Sequence, residues 1–240
     1  MDNITGKIVG NARKNMRQML NSLHSYNSRF LLNDIRKKFL DKILFTMSLV
    51  DRKFFVSSNW YDDNAIGIGK GQTISQPSTV ARMLVLLDIQ PGDDVLEIGA
   101  GSGWNACLLS YLAYPGKVIS IERINSLTEK ARGNFRDFIK YVKRKRPEEY
   151  QKFSKLQFFT RDVFKSGKER FDKIIFTAGI SAGNEDLIKK LAEKMLKKQG
   201  ILICPRIAGS IIIYKRSKKV VKQETREEYV FVPLLRGTEE

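Results

Sequence analysis

The sequence predicts an α/β protein built on a doubly wound, mostly parallel sheet. Short apolar runs rich in β-branched residues alternate with helical segments between residues 94 and 204, which is the pattern of parallel strands joined by helices. A glycine-rich turn at residues 99–103 connects the first of these runs to a helix. Three more apolar runs then follow one another without helices between them, so antiparallel strands are expected at the C-terminal end.

The first part of the chain predicts an N-terminal helical extension. Apolar residues recur there at three- and four-residue spacing up to about residue 50, as on one face of a helix. A loop rich in Asn, Asp and Gly occupies residues 57–71, and Pro77 stands where proline suits the first turn of a helix over residues 78–87. We therefore expect two regions, residues 1–75 with helices and a loop, and residues 76–240 with the sheet.

The elements of the sheet region follow from apolar runs bounded by turn residues such as Pro91-Gly92 and Pro115-Gly116. The helix at 185–198 has apolar residues on one face and lysines on the other. The charged tail of the preceding helix, residues 141–149, is expected to leave the core. The predicted strands are 94–98, 117–122, 156–160, 171–177, 201–204, 211–214, 220–224 and 229–232, and the predicted helices are 104–113, 125–146 and 185–198.

The composition narrows the classes of function. The chain has 240 residues, 42% of them hydrophobic, which is enough for a sizeable core. The net charge of +17 allows a nucleic-acid or membrane-surface binder, or a lysine-rich solvated surface. The basic residues are widely spread with one cluster at residues 143–146, and no recognisable nucleic-acid module accompanies them. The solvated surface is the favoured interpretation.

The cysteine and histidine content argues against a metal site. Cys107 and Cys204 both lie in apolar segments, where a thiol acts as a small buried hydrophobe. With the single histidine, His24, they form no zinc-binding or Cys–His catalytic set, and His24 is expected at the surface or in packing. There is no membrane-length apolar run and no signal-peptide core, so a cytoplasmic protein without a membrane segment is expected.

The glycine turn is the most informative motif. Three glycines at alternate positions, Gly99, Gly101 and Gly103, allow a ligand to approach the backbone, and the following helix directs free N–H groups at it. Trp104 occupies the place where a dinucleotide turn needs its third glycine, and the Lys-Ser/Thr ending of a P-loop is absent. This argues against NAD, FAD, ATP and GTP. A turn without a ligand remains the alternative.

Acidic residues at the ends of the next strands point to an adenosyl group. Glu122 ends the second strand, where a carboxylate accepts hydrogen bonds from ribose hydroxyls. Asp162, followed by Val163, comes after the third strand, where a polar residue is expected for the adenine amine. Because the acids occur at strand ends in this order, a cofactor containing adenosine is predicted.

Residues 96–103 resemble motif I of the class I S-adenosylmethionine-dependent methyltransferases. Residues 71–77, Gly-Gln-Thr-Ile-Ser-Gln-Pro, and residues 231–234, Phe-Val-Pro-Leu, resemble signatures of the protein-L-isoaspartate O-methyltransferase family, as do residues 120–123 and 200–205. The resemblance covers roughly residue 35 to the end. It implies a Rossmann-like sheet beneath a helical part that covers the active site. It also implies transfer of a methyl group to the α-carboxylate of isoaspartyl residues, with S-adenosylmethionine as cofactor and S-adenosylhomocysteine as product.

The resemblance also implies roles for individual residues. Ser75 would orient the substrate carboxyl, although a serine next to Pro77 is also typical of a helix N-cap or a turn. Residues 1–75 would supply the substrate-side loop, residues 76–240 the cofactor-binding domain, and damaged proteins or peptides the substrates of a monomeric enzyme. Val232, Pro233 and Leu234 would pack against the substrate peptide or form a strand over the core. The cofactor-binding residues would be Gln72, Thr73, Glu97, Gly99, Gly101, Gly103, Glu122, Asp162 and Val163.

The acceptor is the least determined part of this prediction. A carboxylate with a pKa near roughly 4 is ionised at neutral pH and needs no general base, which suits a chain without a catalytic histidine. However, Gln76, Ser78 and Thr79 stand where the family commonly has Ala and His-Met. The alternatives are another peptide carboxylate, a nucleic acid, and a non-catalytic cofactor-binding module. Against a nucleic acid, residues 177–180 lack the N-P-P-Y type of amine-methylating motif.

Overall fold

The structure is a computed structural model that describes residues 14–30, 34–165, 167 and 169–239. Helices α1 (Lys14–Ser28) and α2 (Asp34–Leu49) confirm the N-terminal helical extension, while its first 13 residues lie outside the described part. The buried faces of these helices, which include Leu23 and Ile43, belong to the same apolar cluster as the sheet residue Val95. The extension therefore packs on the sheet through one continuous core.

A hairpin and a helix connect the extension to the sheet. The hairpin pairs β1 (Ile66–Gly69) with β2 (Gln72–Ile74) in antiparallel fashion. Helix α3 (Pro77–Leu87) follows at once, with Pro77 in its first turn as predicted. Arg52 to Phe54 form a short 3-10 turn between α2 and the loop that precedes the hairpin.

The main sheet has seven strands within the described residues, in the order β10-β9-β7-β6-β3-β4-β5. Strands β3 to β7 are parallel, and β9 and β10 are antiparallel. Two short strands, β8 and β11, pair with each other outside this sheet. The strands are β3 (Val95–Ile98), β4 (Val118–Glu122), β5 (Leu156–Thr160), β6 (Phe171–Phe176), β7 (Leu196–Pro205), β8 (Ala208–Gly209), β9 (Ile211–Arg216), β10 (Val220–Glu224) and β11 (Tyr229–Val230).

The strand order places a ligand crevice at the middle of the sheet. The chain enters at β3, adds β4 and β5 on one side, and then returns to add β6 and β7 on the other. In open α/β sheets, ligands bind outside the carboxyl ends of the strands where the order reverses. Here that point lies at the carboxyl ends of β3 and its neighbours β4 and β6.

Helices cover both faces of the sheet, which confirms the doubly wound α/β prediction. Helices α3, α4 (Trp104–Ala113) and α5 (Asn125–Lys145) share their apolar cluster with the N-terminal helices. Helix α6 (Glu185–Met195) packs on the opposite face, where its Ile188 and Leu191 meet Ile174 and Leu202 of the sheet.

Helix α6 is shorter than the predicted helix at 185–198. It ends at Met195, and Leu196 already begins β7 with extended backbone angles of φ −78° and ψ 139°. Leu196 pairs with Phe171 of β6 and is fully buried. Its carbonyl accepts hydrogen bonds at 2.9 Å from both Arg170 and Arg216. Pairing with a distant strand therefore overrides the local helical pattern.

The charged tail at 141–149 does not leave the core, contrary to the prediction. Val142 is buried, and the ring of Tyr141 lies 5.0 Å from that of Phe54. After α5, residues Pro147–Phe153 form a 3-10 segment whose Phe153 packs edge-on against Phe138 at 5.2 Å. Apolar residues spaced through the charged stretch thus hold it against the protein.

Several smaller predictions can also be compared with the structure. The predicted strand at 229–232 is reduced to Tyr229–Val230 and lies outside the main sheet, in the pair with β8. Cys107 and Cys204 are buried, free thiols, as expected. The side chain of His24 is 45% exposed and its Nε2 lies 3.4 Å from Asp41, which confirms a surface residue. Of the described helices, none is both long and apolar enough to cross a membrane.

Candidate active site

One cavity at the carboxyl ends of the central strands brings together most of the residues singled out in the sequence. They come from the hairpin, the glycine turn, the ends of β4 and β5, and the C-terminal segment. Gly103 is the exception and does not line the cavity. The predicted residues that line it are Gln72, Thr73, Ser75, Glu97, Gly99, Gly101, Glu122, Asp162, Val163, Val232, Pro233 and Leu234.

The glycine turn presents bare backbone because side chains have no room there. Gly99 has a φ of 99°, and a Cβ atom on it would overlap the hydroxyl of Thr177. That hydroxyl instead donates a 2.6 Å hydrogen bond to the Gly99 carbonyl. Gly101 has a φ of 51°, and a Cβ atom there would lie 3.3 Å from Ile68 of the hairpin. The turn therefore provides the close approach that a nucleotide-like ligand needs.

Gly103 serves helix packing instead of ligand contact. It precedes α4 with a φ of 86°, and a Cβ atom on it would lie 3.3 Å from Ala131 of α5. The predicted contact of Gly103 with a cofactor stays a prediction. The next residue, Trp104, is 1% exposed, lines the cavity and donates from Nε1 to the Val50 carbonyl at 2.9 Å. The indole thus connects the wall of the cavity to the end of the N-terminal extension through this hydrogen bond.

Glu122 is held in one orientation by the backbone. Its Oε2 accepts a hydrogen bond from the N–H of Gly101 at 3.0 Å, and its Oε1 accepts from Arg123 at 2.8 Å and Ile124 at 3.1 Å. A carboxylate can accept about four hydrogen bonds. One acceptor position is therefore left on a carboxylate that lines the cavity.

Glu97 lies at the base of the cavity with no solvent exposure. Its Oε1 accepts a hydrogen bond from Asn105 at 2.8 Å, and its Oε2 accepts one from the Ser120 hydroxyl. Burial raises the pKa of this carboxyl to about 7, although both hydrogen bonds act in the opposite direction. Glu97 is therefore a carboxyl group that titrates near neutral pH.

Asp162 anchors the end of the chain. Its Oδ1 accepts from the N–H of Phe164 and its Oδ2 from the N–H of Gly237, both at 2.9 Å. Gly237 belongs to a segment, residues 232–239, that we call the C-terminal strap. The sequence predicts that Asp162 binds the adenine amine. The structure gives it a second role that depends on a residue 75 positions away.

The C-terminal strap crosses the carboxyl ends of the parallel strands, and its first residues cover the cavity. After β6, Gly179 donates to the Val232 carbonyl at 2.8 Å and accepts from the Leu234 N–H at 2.7 Å. After β4, Arg123 binds Glu239 twice, since its carbonyl accepts from the Glu239 N–H at 2.8 Å and its guanidinium lies 3.0 Å from the carboxylate. The strap is therefore fastened at both ends.

Arg52 was not among the predicted site residues, yet it contacts the segment that carries Ser75. The side chain is 1% exposed, and its guanidinium lies 5.4 Å from the ring centre of Trp104. No local motif around Arg52 signals this role, because the groups that it binds belong to the following loop. Its Nη1 donates to the carbonyls of Trp60 (3.3 Å) and Asp62 (3.2 Å), and its Nη2 to those of Asn64 (2.9 Å) and Ser75 (3.2 Å).

Ser75 is positioned by these contacts and is not a helix N-cap. Gln76 holds the N-cap position of α3, and the free N–H of Ser78 is bound by the Asp63 carboxylate at 2.8 Å. Ser75 is half-buried and lines the cavity next to Thr73. The capping alternative for Ser75 is thus excluded, and its side chain is left at the wall of the cavity.

A second depression of about 680 Å³, which we call the outer groove, adjoins the cavity. Four residues line both spaces, namely Thr73, Ser75, Thr177 and Val232. Ser75 therefore stands at the junction between the enclosed cavity and a groove that leads outwards. The other residues of the outer groove include Tyr26, Gln76, Ser78, Thr79, Glu228 and Tyr229.

The sequence of the chain matches one protein family over most of its length. The protein-L-isoaspartate(D-aspartate) O-methyltransferase family matches residues 26–239. The chain belongs to this family. Protein-L-isoaspartate O-methyltransferases from Pelodictyon phaeoclathratiforme and Jannaschia sp. are among its relatives. The first is 37% identical over 76% of this chain and 77% of the relative, and the second is 33% identical over 88% and 90%.

Two solved structures share the fold of this family member. A protein described as a protein-L-isoaspartate O-methyltransferase from Plasmodium falciparum, in complex with S-adenosyl-L-homocysteine, has a TM-score of 0.73 and 22% identity. The match covers 93% of this chain and 99% of that one. A second protein-L-isoaspartate O-methyltransferase has a TM-score of 0.67 and 21% identity, covering 92% and 67% of the two chains. They confirm the methyltransferase architecture.

We expect Arg52→Lys to loosen the loop that carries Ser75. An ammonium group cannot reproduce the fork that reaches four carbonyls, and the loss of charge-assisted hydrogen bonds to these part-buried acceptors is costly. The free energy of unfolding should fall by about 2–4 kcal/mol in urea denaturation. Arg144→Lys, at an exposed position of α5, is the control and should leave the free energy of unfolding nearly unchanged. Equal urea midpoints for the two variants would contradict the role of Arg52.

Glu97 should make stability depend on pH. Its pKa is raised from 4.5 to about 7 in the fold, so its stabilising contribution is complete below pH 4.5 and is lost as the pH rises through about 7. Glu97→Gln cannot titrate. Relative to this variant, the wild type should lose on the order of 3 kcal/mol of unfolding free energy between these pH values. A difference that stays constant from pH 4 to 8 would show that Glu97 has an ordinary pKa.

Glu239→Gln should speed the release of bound S-adenosylhomocysteine by up to about fivefold. The variant removes the ion pair with Arg123 at the end of the strap, together with a longer contact of 3.8 Å to Lys70, and partly exposed pairs of this kind are worth about 1 kcal/mol or less. Dissociation of labelled ligand, chased with excess unlabelled ligand, measures the rate. Asp137→Asn removes an exposed ion pair on α5 and should leave the dissociation rate unchanged. Identical rates in all three proteins would mean that the ion pair does not hold the strap.

Proposed function

We propose that this chain transfers a methyl group from S-adenosylmethionine to the α-carboxylate of L-isoaspartyl residues in damaged proteins or peptides, as the first step of their repair. The observation that carries this proposal is the position of Ser75, at the junction of the cavity and the outer groove. Membership of the family supports the same activity. A cofactor in the cavity and a peptide in the groove would meet at this residue.

The cavity suits an adenosyl cofactor, which supplies an electrophilic methyl group on its sulfonium when bound. Gly99 and Gly101 leave space for close approach, and Glu122 keeps one acceptor position for a ribose hydroxyl. Asp162 and Val163 would lie beside the adenine, and Glu97, Gln72 and Thr73 would complete the enclosure. We leave Gly103 out of this proposed set because it packs against α5.

The chain's own residues are sufficient for methylation of a carboxylate. The acceptor is ionised at neutral pH, so the site needs orientation and exclusion of water more than a general base. The Ser75 hydroxyl would donate a hydrogen bond to one carboxylate oxygen and direct the other towards the methyl group. Val232, Pro233 and Leu234 would cover the reacting groups and contact the substrate peptide.

The two regions of the chain would divide these tasks. Residues 1–75 would form the substrate side, with the loop that ends at Ser75, and residues 76–240 would hold the cofactor. We also propose that the enzyme acts as a monomer in the cytoplasm. The two free, buried cysteines support a reducing compartment of this kind. Its partners would be proteins or peptides that contain isoaspartate.

Ser75→Ala should lower kcat/KM for an isoaspartyl peptide by about 10- to 100-fold, through loss of one orienting hydrogen bond. The affinity for S-adenosylhomocysteine should stay the same, as measured by calorimetry. Ser154→Ala, an exposed serine next to the 3-10 segment, is the matched control and should retain full activity.

The assay uses labelled cofactor with an isoaspartyl peptide, the matching aspartyl peptide and bulk RNA. Transfer to the isoaspartyl peptide that is no greater than to the aspartyl peptide would exclude the proposed function. Preferential transfer to RNA would instead favour a nucleic-acid methyltransferase, and cofactor binding without any transfer would favour a binding module.

A further inference from the structure

The outer groove is lined in part by the end of helix α1, at the residue where the family match begins. The match begins at residue 26, so nearly all of α1 (Lys14–Ser28) precedes it. Near the end of this helix, Tyr26 lines the outer groove together with Tyr229 of β11 and Thr79 of α3. Tyr26 is also 37% exposed, which is unusual for a large ring among the described residues. This chain therefore places an accessible aromatic ring beside its acceptor site.

The ring of Tyr26 is held in place by a chain of contacts. It packs edge-on against Phe30 with ring centres 5.4 Å apart. The Arg82 guanidinium lies 4.9 Å from the centre of the Phe30 ring. Arg82 is buried and donates to the Glu227 carboxylate from Nε at 3.0 Å and from Nη2 at 2.6 Å. A ring fixed in this way loses little conformational entropy when a ligand binds to it.

Asn27 docks the end of α1 at the groove itself. Its side chain is 1% exposed, and its Nδ2 donates to the Ser78 carbonyl at 3.4 Å and to the Leu23 carbonyl at 3.1 Å. Ser78 is one of the residues that line the outer groove. The position of Tyr26 is therefore coupled to the start of α3, two residues after Gln76.

We propose that Tyr26 is a substrate-specificity residue whose ring contacts the acceptor peptide at residues next to the isoaspartate. The inference rests on the proposed function, because it takes the outer groove as the peptide site. A tyrosine ring offers a large apolar face and a polar hydroxyl at a low entropic cost, which suits extended peptides of varied sequence. Binding of the peptide, and not chemistry at the carboxylate, depends on this contact.

The test compares Tyr26→Ala and Tyr26→Phe with an isoaspartyl peptide of about ten residues and with an isoaspartyl tripeptide. Tyr26→Ala should raise KM for the long peptide about tenfold, with kcat and the affinity for S-adenosylhomocysteine unchanged. The tripeptide, which lacks most flanking residues, should show a much smaller change. Tyr26→Phe keeps the ring and should stay within about twofold of the wild type for both peptides.

Ser25→Ala is the matched control, because Ser25 is an exposed neighbour on the same helix that does not line the groove. The inference is overturned if Tyr26→Ala keeps the wild-type KM for the long peptide, or if it raises KM for the long peptide and the tripeptide by the same factor. It is also overturned if Tyr26→Phe raises KM for the long peptide as much as Tyr26→Ala does. A loss of S-adenosylhomocysteine affinity in Tyr26→Ala as large as its rise in KM would also overturn the inference, since a structural defect would then explain both effects. Failure of the proposed function is a separate result, in which the wild type itself does not methylate the isoaspartyl peptides.

Discussion

The contacts of the buried Arg52 guanidinium are the constraint on which the acceptor side of the site depends. One planar group binds three backbone carbonyls of the loop and the carbonyl of Ser75. It also lies over the ring of Trp104, the first residue of α4. Burial lowers its pKa to about 10, while Asp62 and Asp63 act in the opposite direction, so the group remains charged at neutral pH. Arg52 therefore links the loop that carries Ser75 to Trp104, which lines the cavity.

The enclosure above the central strands is built from the hairpin, which precedes the sheet region, and from the C-terminal strap. The hairpin approaches from one side, and Ile68 limits the space above Gly101 while its carbonyl accepts from Lys130 at 2.7 Å. The C-terminal strap approaches from the other and is fastened after β4, β5 and β6 in turn. Methyl transfer between a sulfonium and a carboxylate benefits from such an enclosure, because water competes with both charges.

The acceptor side and the cofactor side of the site are lined by different kinds of residue. The residues around the glycine turn satisfy general requirements of a nucleotide-like ligand, namely bare backbone and a fixed carboxylate. The outer groove instead combines Ser78 and Thr79 with Tyr26, which the N-terminal helix supplies. In the proposed function, binding of the cofactor and choice of the peptide would therefore depend on separate sets of residues that adjoin at Ser75.

The sequence by itself determined the parts of the protein that follow from local patterns. Alternating strands and helices, three glycines at alternate positions and acids at strand ends predicted the parallel sheet and the part of the cavity that the glycine turn and these acids line, since the carboxyl ends of parallel strands lie at one edge of the sheet. Only the tertiary structure decided the role of Arg52, the strap held by Asp162, the packing role of Gly103 and the early end of α6. Each of these depends on hydrogen bonds or close contacts between segments far apart in the chain, and no local periodicity encodes them.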